Sequence, residues 1–303
     1  MRVLITGAAG FVGAHVARRL AGERLEVVRL GRSGAAGELD IAIDLADRCA
    51  VERTLNAVRP DAVLHLAGRT ERIDRTAALL RDNVQATLAL VAALRSLPKV
   101  PRLILAGSAA VYGPTGPVPA GETRATAPDT VYAATKLMQE QIVGRAAAAG
   151  VEVNIVRCFN IIGPGQSRGV VPDLLRQIVP NLETPGEEIA VLMGDTGAVR
   201  DFLDVRDAAA AFQAIILRGR PGRIYNLCGG RPTAVHEIVR IVEGLVGRKL
   251  DLTGTARPEN PSNIVLGDCS RLVAELGWKP AFALDATIRD CIKLERDRLN
   301  TTG

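Results

Sequence analysis

Aromatic residues are scarce in this 303-residue chain, 3% in all with a single Trp, and lysine is nearly as rare. Lysine occurs only at Lys99, Lys136, Lys249, Lys279 and Lys293, so the net charge of +5 is carried almost wholly by arginine. There is no basic run and no stripe of interleaved aromatics, which argues against nucleic-acid binding and suits a small anionic ligand better. The five cysteines (Cys49, Cys158, Cys228, Cys269, Cys291) form no Cys-x-x-Cys pair and have no His at metal-ligand spacing. They argue against a disulfide framework or a metal centre and read as reduced, mostly buried small hydrophobes. No apolar stretch reaches the roughly 18 residues that a spanning helix needs, since Met1 to Leu20 is broken by Gly, His and Arg. Nor does Arg2-Val3-Leu4-Ile5, running straight into glycines, have the layout of a secretory leader. The expectation is a cytoplasmic protein with no membrane partner.

Hydrophobic residues, by contrast, make up 48% of the chain, enough to fill a core for about two domains or one large α/β unit. Short β-branched runs at Arg2–Ile5, Leu25–Leu30, Asp61–Leu66, Arg102–Ala106 and Val151–Cys158 alternate with helical patterns at Phe11–Ala21, Leu45–Val58, Ile73–Leu97 and Val131–Ala149. That alternation predicts an α/β fold with a doubly wound parallel sheet of Rossmann type, with ligands at the strands' C-terminal edge. After Asn160 the texture turns to Gly- and Pro-punctuated pieces, with helical patterns at Val171–Val179, Val205–Leu217, Val235–Val246 and Leu284–Leu299 and a strand at Arg223–Cys228. The predicted division is a dinucleotide-binding domain over 1–157, joined by part of 201–228, and a smaller substrate-binding cap drawn mainly from 158–303.

Thr6-Gly7-Ala8-Ala9-Gly10-Phe11-Val12-Gly13 follows the first strand and opens the first helix. In that context Gly7 permits a tight turn, Gly10 lets backbone N–H groups approach a pyrophosphate, and Gly13 allows close helix–strand packing; Phe11 and Val12 bring the helix N-terminus to the phosphates. At the end of the second strand, where a carboxylate would select NAD, stand Gly31-Arg32-Ser33. A guanidinium and a hydroxyl suit a 2′-phosphate, so NADP(H) is favoured over NAD(H), with Arg32 and Ser33 as the selecting residues.

Tyr132 and Lys136 lie four apart on a helical pattern and share one face. An ammonium beside a phenol draws its pKa down from about 10, so that it can give or take a proton near neutrality. Ser108, just past the fourth strand, can hold the reacting oxygen against Tyr132. Asn83, a poor helix former inside a long helical pattern, is a candidate support for the site. His15, His65 and His236 carry no flanking acid–base chemistry, and packing or positioning roles are expected of them.

Together Thr6–Gly13, Ser108–Gly113, Tyr132–Lys136, Arg157–Gln166, Val199–Asp207 and Leu276–Pro280 resemble the extended short-chain dehydrogenase/reductases of the nucleotide-sugar branch, whose glycine spacing is typically GxxGxxG. The resemblance implies that Asp44 and Leu45 lie near the adenine, that Leu66, Ala67 and Gly68 run past the pyrophosphate, and that Lys136 meets the ribose. It implies further that Asn160, Arg200 and Arg257 bind the substrate's diphosphate, with Ser108 and Val171 also at the substrate, and that the protein is a homodimer through Ile73–Leu97 and Val131–Ala149. Phe159–Gln166, Val199–Asp207, Gly222–Cys228 and Arg257-Pro258 most resemble GDP-4-keto-6-deoxy-mannose reductases. The expected activity is therefore NADPH-dependent reduction of the 4-keto group of a nucleotide-activated 6-deoxysugar. An NAD-dependent C4 epimerase is the alternative, and a non-catalytic NADP(H) sensor a more distant one. Ala109 and Ala110 stand where sugar 4,6-dehydratases carry an acid pair, which disfavours dehydration.

Overall fold

A computed structural model describes residues 1–23, 25–32, 40–70, 76–182, 188–254 and 263–302. Its main sheet has seven parallel strands in the order β10-β6-β5-β4-β1-β2-β3. These are β1 (Arg2–Thr6), β2 (Glu26–Gly31), β3 (Asp40–Ala42), β4 (Ala62–His65), β5 (Arg102–Ser108), β6 (Val153–Cys158) and β10 (Ile224–Leu227). The order reverses between β1 and β4, so loops after these two strands diverge to open a crevice at the C-terminal edge. The central strands are apolar on both faces, as Val3, Leu4, Ile5, Val63, Leu64, Leu103 and Ile104 show with at most 1% exposure; this is the composition a sheet covered on both sides requires.

One layer holds α1 (Phe11–Ala21) and α7 (Val205–Arg218), which close over Val16, Leu20, Phe212, Ile215 and the single Trp278. The other holds α2 (Arg48–Val58), a broken helix and α5 (Val131–Ala148), packed around Leu55, Leu90, Leu94 and Val143. The broken helix starts as α3 (Thr76–Leu79), widens to a π-helical turn at Leu80–Gln85, and continues as α4 (Ala86–Arg95). Together these pieces, Thr76–Arg95, are apolar and long enough to cross a bilayer. They nevertheless bury Leu79, Val84, Leu90, Ala93 and Leu94, as a core helix does.

Most of the remaining elements build a second, smaller core. β7 (Asn160–Ile162), β9 (Val199–Asp204), β11 (Pro232–Ala234) and β13 (Ile264–Val265) form a small sheet, and β8 (Glu188–Leu192) pairs with β12 (Lys249–Thr253). With α6 (Val170–Ile178), α8 (Val235–Val246) and α10 (Leu284–Thr302) they enclose a core of Leu174, Ile178, Val191, Ile238, Val242 and Ile288. α9 (Ser270–Leu276) lies against β10 and α7. His15 of α1 bonds the Pro164 carbonyl at 2.9 Å, tying the first layer to the loop after β7. All five cysteines are free; Cys49 is exposed rather than buried, because it lies on the outer face of α2.

Candidate active site

The glycine loop and the loop after β4 meet in the crevice between β1 and β4. Gly7 has φ +70°, and a Cβ there would come within 2.7 Å of Ala67 N. A Cβ on Gly13 would strike the Gly7 carbonyl oxygen, so α1 can start this close to β1 only with glycine at both positions. Gly10 caps α1 without any side-chain hydrogen bond, and the first turn carries no acidic residue. The N–H groups of Phe11, Val12 and Gly13 are therefore presented at the mouth of a crevice of positive helix-end potential, a cradle suited to a pyrophosphate. Ala8 and Ala9 line a depression with Arg29, Leu30, Gly31, Asp40 and Ile41, at the β2 end of this cradle.

Beneath the loop after β4 runs a buried hydrogen-bond chain whose proton directions are fixed by its partners. The Thr87 hydroxyl has one hydrogen and gives it to the Asn83 carbonyl at 2.6 Å. Gln139 Nε2 donates to the Thr87 hydroxyl oxygen at 2.7 Å, and His65 Nε2 lies 3.0 Å from that oxygen. Thr87 can only accept from the imidazole, so His65 carries its proton on Nε2. Its Nδ1 then accepts from the Thr6 hydroxyl at 2.7 Å, and Thr6 Oγ1 in turn accepts Ala67 N–H at 3.2 Å. Burial and the charge of Lys136 push the His65 pKa down to about 3, so the ring is neutral. His65 is thus a positioning group, as its lack of flanking chemistry led one to expect.

Asn83 is fully buried in the π-helical turn. Its Oδ1 accepts Arg69 N–H at 2.7 Å, while its Nδ2 donates to the Arg69 carbonyl at 3.2 Å and to Thr135 Oγ1 at 3.0 Å. Asn83 leaves no exposed surface, and these bonds join the loop after β4 to α5.

α5 returns the chain from β5 to β6 and so runs antiparallel to both, which brings its N-terminus to the ligand edge. Thr130 caps it by accepting Ala133 N–H at 3.1 Å. Lys136 is buried and donates from Nζ to the Ala106 carbonyl at 2.6 Å, two residues before Ser108. Desolvation lowers its pKa to about 8 against the opposing pull of the Glu140 carboxylate. Tyr132, half-buried, stands one turn nearer the helix N-terminus, towards the Ser108 end of β5; its carbonyl accepts from Thr135 Oγ1 at 2.8 Å. Ser108 ends β5 half-buried, with Oγ accepting Ala110 N–H at 3.2 Å, and lies opposite Cys158 in the sheet register. Burial pushes the Cys158 thiol up to about 12, leaving it a neutral neighbour of Lys136. Behind them Arg157 and Glu140 form a buried pair at 2.7 Å, with the guanidinium 4.7 Å over the Tyr112 ring. The arrangement puts a phenol, an ammonium and a hydroxyl at one end of one strand and helix, beside a phosphate cradle.

Around the end of β2 the residues are more heavily engaged than their sequence suggests. Asp44 accepts Ala46 N–H at 3.0 Å, which, with Arg81, holds its carboxyl below the usual range; Leu45 is buried in the core beside α2. Leu66 and Ala67 are half-buried and Gly68 exposed. Arg32 follows β2 on the surface and pairs with Asp82 at 3.4 Å. Asp82 also takes Arg69 at 2.8 Å and Arg81 at 3.3 Å. The sequence reading missed Asp82, which on a helical pattern looks like any solvated charge. Ser33 lies outside the described residues.

In the small sheet, Asn160 on β7 donates weakly to the Asp201 carbonyl at 3.4 Å. Arg200 on β9 is bound to Asn263, with NH2 2.5 Å from Oδ1, so a substrate phosphate would have to share that guanidinium. Val171 is 1% exposed within the core of α6, α8 and α10. The expectation that it meets substrate is corrected: the strong apolar face of α6 turns Val171 inward with Leu174, Leu175 and Ile178. Arg257 lies outside the described residues.

The profile of the NAD dependent epimerase/dehydratase family matches residues 3–228. A UDP-glucose 4-epimerase from Azospirillum brasilense is 30% identical over 330 residues, covering 100% of this chain and 94% of the relative. A GDP-6-deoxy-D-mannose reductase from Pseudomonas aeruginosa is 28% identical, covering 95% of each. The structure of RMD from Pseudomonas aeruginosa complexed with NADPH superposes with a TM-score of 0.86 at 28% identity, over 98% of this chain and 99% of that one. A glycine cradle at a topological switch point, a Ser–Tyr–Lys set on β5 and α5, and these likenesses lead to one conclusion: the chain belongs to the NAD dependent epimerase/dehydratase family and is an NAD(P)-dependent short-chain dehydrogenase/reductase of the nucleotide-sugar branch.

Proposed function

We propose that this enzyme reduces the 4-keto group of a nucleotide-activated 6-deoxysugar with NADPH, in the manner of a GDP-4-keto-6-deoxy-mannose reductase. The observation that carries the reading is Arg32, directly after β2, where the sequence Gly31-Arg32-Ser33 offers a guanidinium and no carboxylate. A reductase consumes its cofactor and must exchange it, and a 2′-phosphate recognised by a guanidinium fits that use. Ala109 and Ala110 leave no acid beside Ser108 to expel water, which speaks against a dehydratase.

The cofactor would lie with its pyrophosphate on the Gly7–Gly13 cradle and its adenosine towards Arg32 and Asp44; when bound, its nicotinamide supplies hydride. The chain's own part is proton transfer. Tyr132 gives its hydroxyl proton to the ketone oxygen as C4 becomes an alcohol carbon, and Ser108 donates a hydrogen bond that orients the same oxygen. The Lys136 ammonium stabilises the phenolate left behind. Residues 158–303, apart from the return to the main sheet, act as the substrate cap, where Asn160 and Arg200 face the diphosphate. Two copies associate through the helical layer of α4 and α5, whose Leu88 and Met138 are 51% and 40% exposed.

A C4 epimerase is the second reading, favoured by the Azospirillum likeness over the whole chain. Purified protein incubated with a panel of nucleotide-4-keto-6-deoxysugars, with NADPH absorbance followed, separates the two. NADPH consumption supports the reductase. Tightly held NAD in the purified protein, with interconversion of C4 epimers and no net NADPH use, supports the epimerase.

A further inference from the structure

We infer that Arg32 is shared between Asp82 and the adenosine 2′-phosphate: Asp82 parks the guanidinium when the dinucleotide lacks that phosphate and yields it when the phosphate is present. The inference rests on the reading that Arg32 faces the 2′-phosphate, and it adds Asp82 as the residue that sets how strongly NADPH is preferred.

Three guanidiniums converge on the Asp82 carboxylate, and they are not equivalent. Arg69 lies at 2.8 Å with a side chain 18% exposed, and Asn83 clamps its backbone on both sides. Arg81 lies at 3.3 Å and is anchored a second time on Asp44. Arg32 has the longest contact, 3.4 Å, and the most exposed side chain, 67%. It is therefore the partner that leaves at least loss, and Asp82, itself only 13% exposed, remains doubly paired after its departure. A phosphate monoester with a charge near −2 outcompetes one carboxylate for a guanidinium in bidentate geometry. Without the phosphate, Arg32 has Asp82 to return to, so NAD(H) meets a neutralised side chain rather than a stranded charge. Asp82 thus works against the preference for NADP(H) that Arg32 creates, and the site can hold either dinucleotide.

The test is a calorimetric titration of NADP⁺ and NAD⁺ into the wild type, Arg32→Ala, Asp82→Asn and the double variant, with the selectivity read as the ratio of the two Kd values. Arg32→Ala should collapse the ratio; if it does not, the reading of Arg32 fails and the inference with it. Asp82→Asn should raise the ratio about two- to fivefold in favour of NADP⁺, the range of an exposed ion pair. The gain should vanish when Arg32 is also alanine. An unchanged or lower ratio in Asp82→Asn, an equal gain for both dinucleotides, or a gain that survives in the double variant overturns the proposal while leaving the role of Arg32 intact. Asp82→Ser should move the ratio in the same direction as Asp82→Asn and guards against a folding defect peculiar to one substitution.

Discussion

Lys136 Nζ donates to the Ala106 carbonyl at 2.6 Å, so the ammonium of α5 is fastened to the strand that ends in Ser108. The bond fixes the height of the helix against the sheet and holds Tyr132 one turn towards the ligand edge. The same burial that makes this contact dry lowers the lysine pKa to about 8. Below that value the ammonium is charged, and above it the stabilising charge beside the phenol disappears. The kcat/KM of the free enzyme is therefore expected to fall as pH rises through about 8. Lys136→Met should lose that alkaline limb together with most of the rate, as a pH–rate profile of both proteins would show.

Replacing Tyr132 with Phe removes the hydroxyl that serves as proton donor and retains the ring, and Thr130 still caps the helix. Turnover should drop by about 10²–10⁴-fold, the usual worth of a positioned acid. Cofactor affinity should change by less than about twofold. Steady-state assays paired with a binding titration check both, and a native activity that survived the change would exclude Tyr132 as the acid.

His65 makes the protein acid-sensitive. Its folded pKa of about 3 lies below the ordinary 6.5, so between these values the unfolded chain binds a proton that the folded chain refuses. Stability contributed by this group is complete above pH 6.5 and is lost as pH falls towards 3, by about 3 kcal/mol at pH 4. Asp201, raised to about 6 chiefly by burial, opposes this between pH 6 and its ordinary 3.8, because there the folded chain holds the extra proton. Urea unfolding of wild type and His65→Gln across pH 4 to 7 cancels the Asp201 contribution. The difference should shrink on the acid side, the variant being less stable at pH 7 by about 1–3 kcal/mol for the broken buried hydrogen bonds.

Leu88, exposed on α4, tests the proposed association. Leu88→Arg puts a charge into a face expected to be covered by a second copy and should convert a dimer to a monomer in light scattering. The fold should be unaffected, because Leu88 points away from the core. A wild type that is already monomeric would refute the dimer.

The alternating core was readable because each βα unit announces itself by period. Helices Phe11–Ala21 and Val235–Val246 have the bounds their patterns predicted, the other expected helices and main strands differ by a few residues at their ends, and α9 (Ser270–Leu276) was not anticipated. What stayed hidden was structure held by distant partners. β7, β9, β11 and β13 are short, and their pairings, such as Asn160 with Phe202 or Ile264 with Val199, join segments with no local signature. β3, only Asp40–Ala42, is similarly slight. The π-helical turn disturbs no apolar spacing, and only Asn83 hinted at it. At the site, residue types were legible but their engagements were not: nothing local says that Asp82 gathers three arginines, that Arg200 is spoken for by Asn263, or that Val171 faces inward.

The outermost strand of the main sheet, Ile224–Leu227, pairs with Ile155 to Cys158 but comes some 70 residues later in the chain. As the polypeptide leaves the ribosome, β6 is made early and waits with one row of backbone groups unmet while nearly all of β7 to β9 and α7 is synthesised. An open edge of that kind recruits whatever strand arrives first. Completion of the main sheet is therefore tied to delivery of β7 to β9 and α7, and a truncated product ending before Leu227 carries a sticky border rather than a finished sheet.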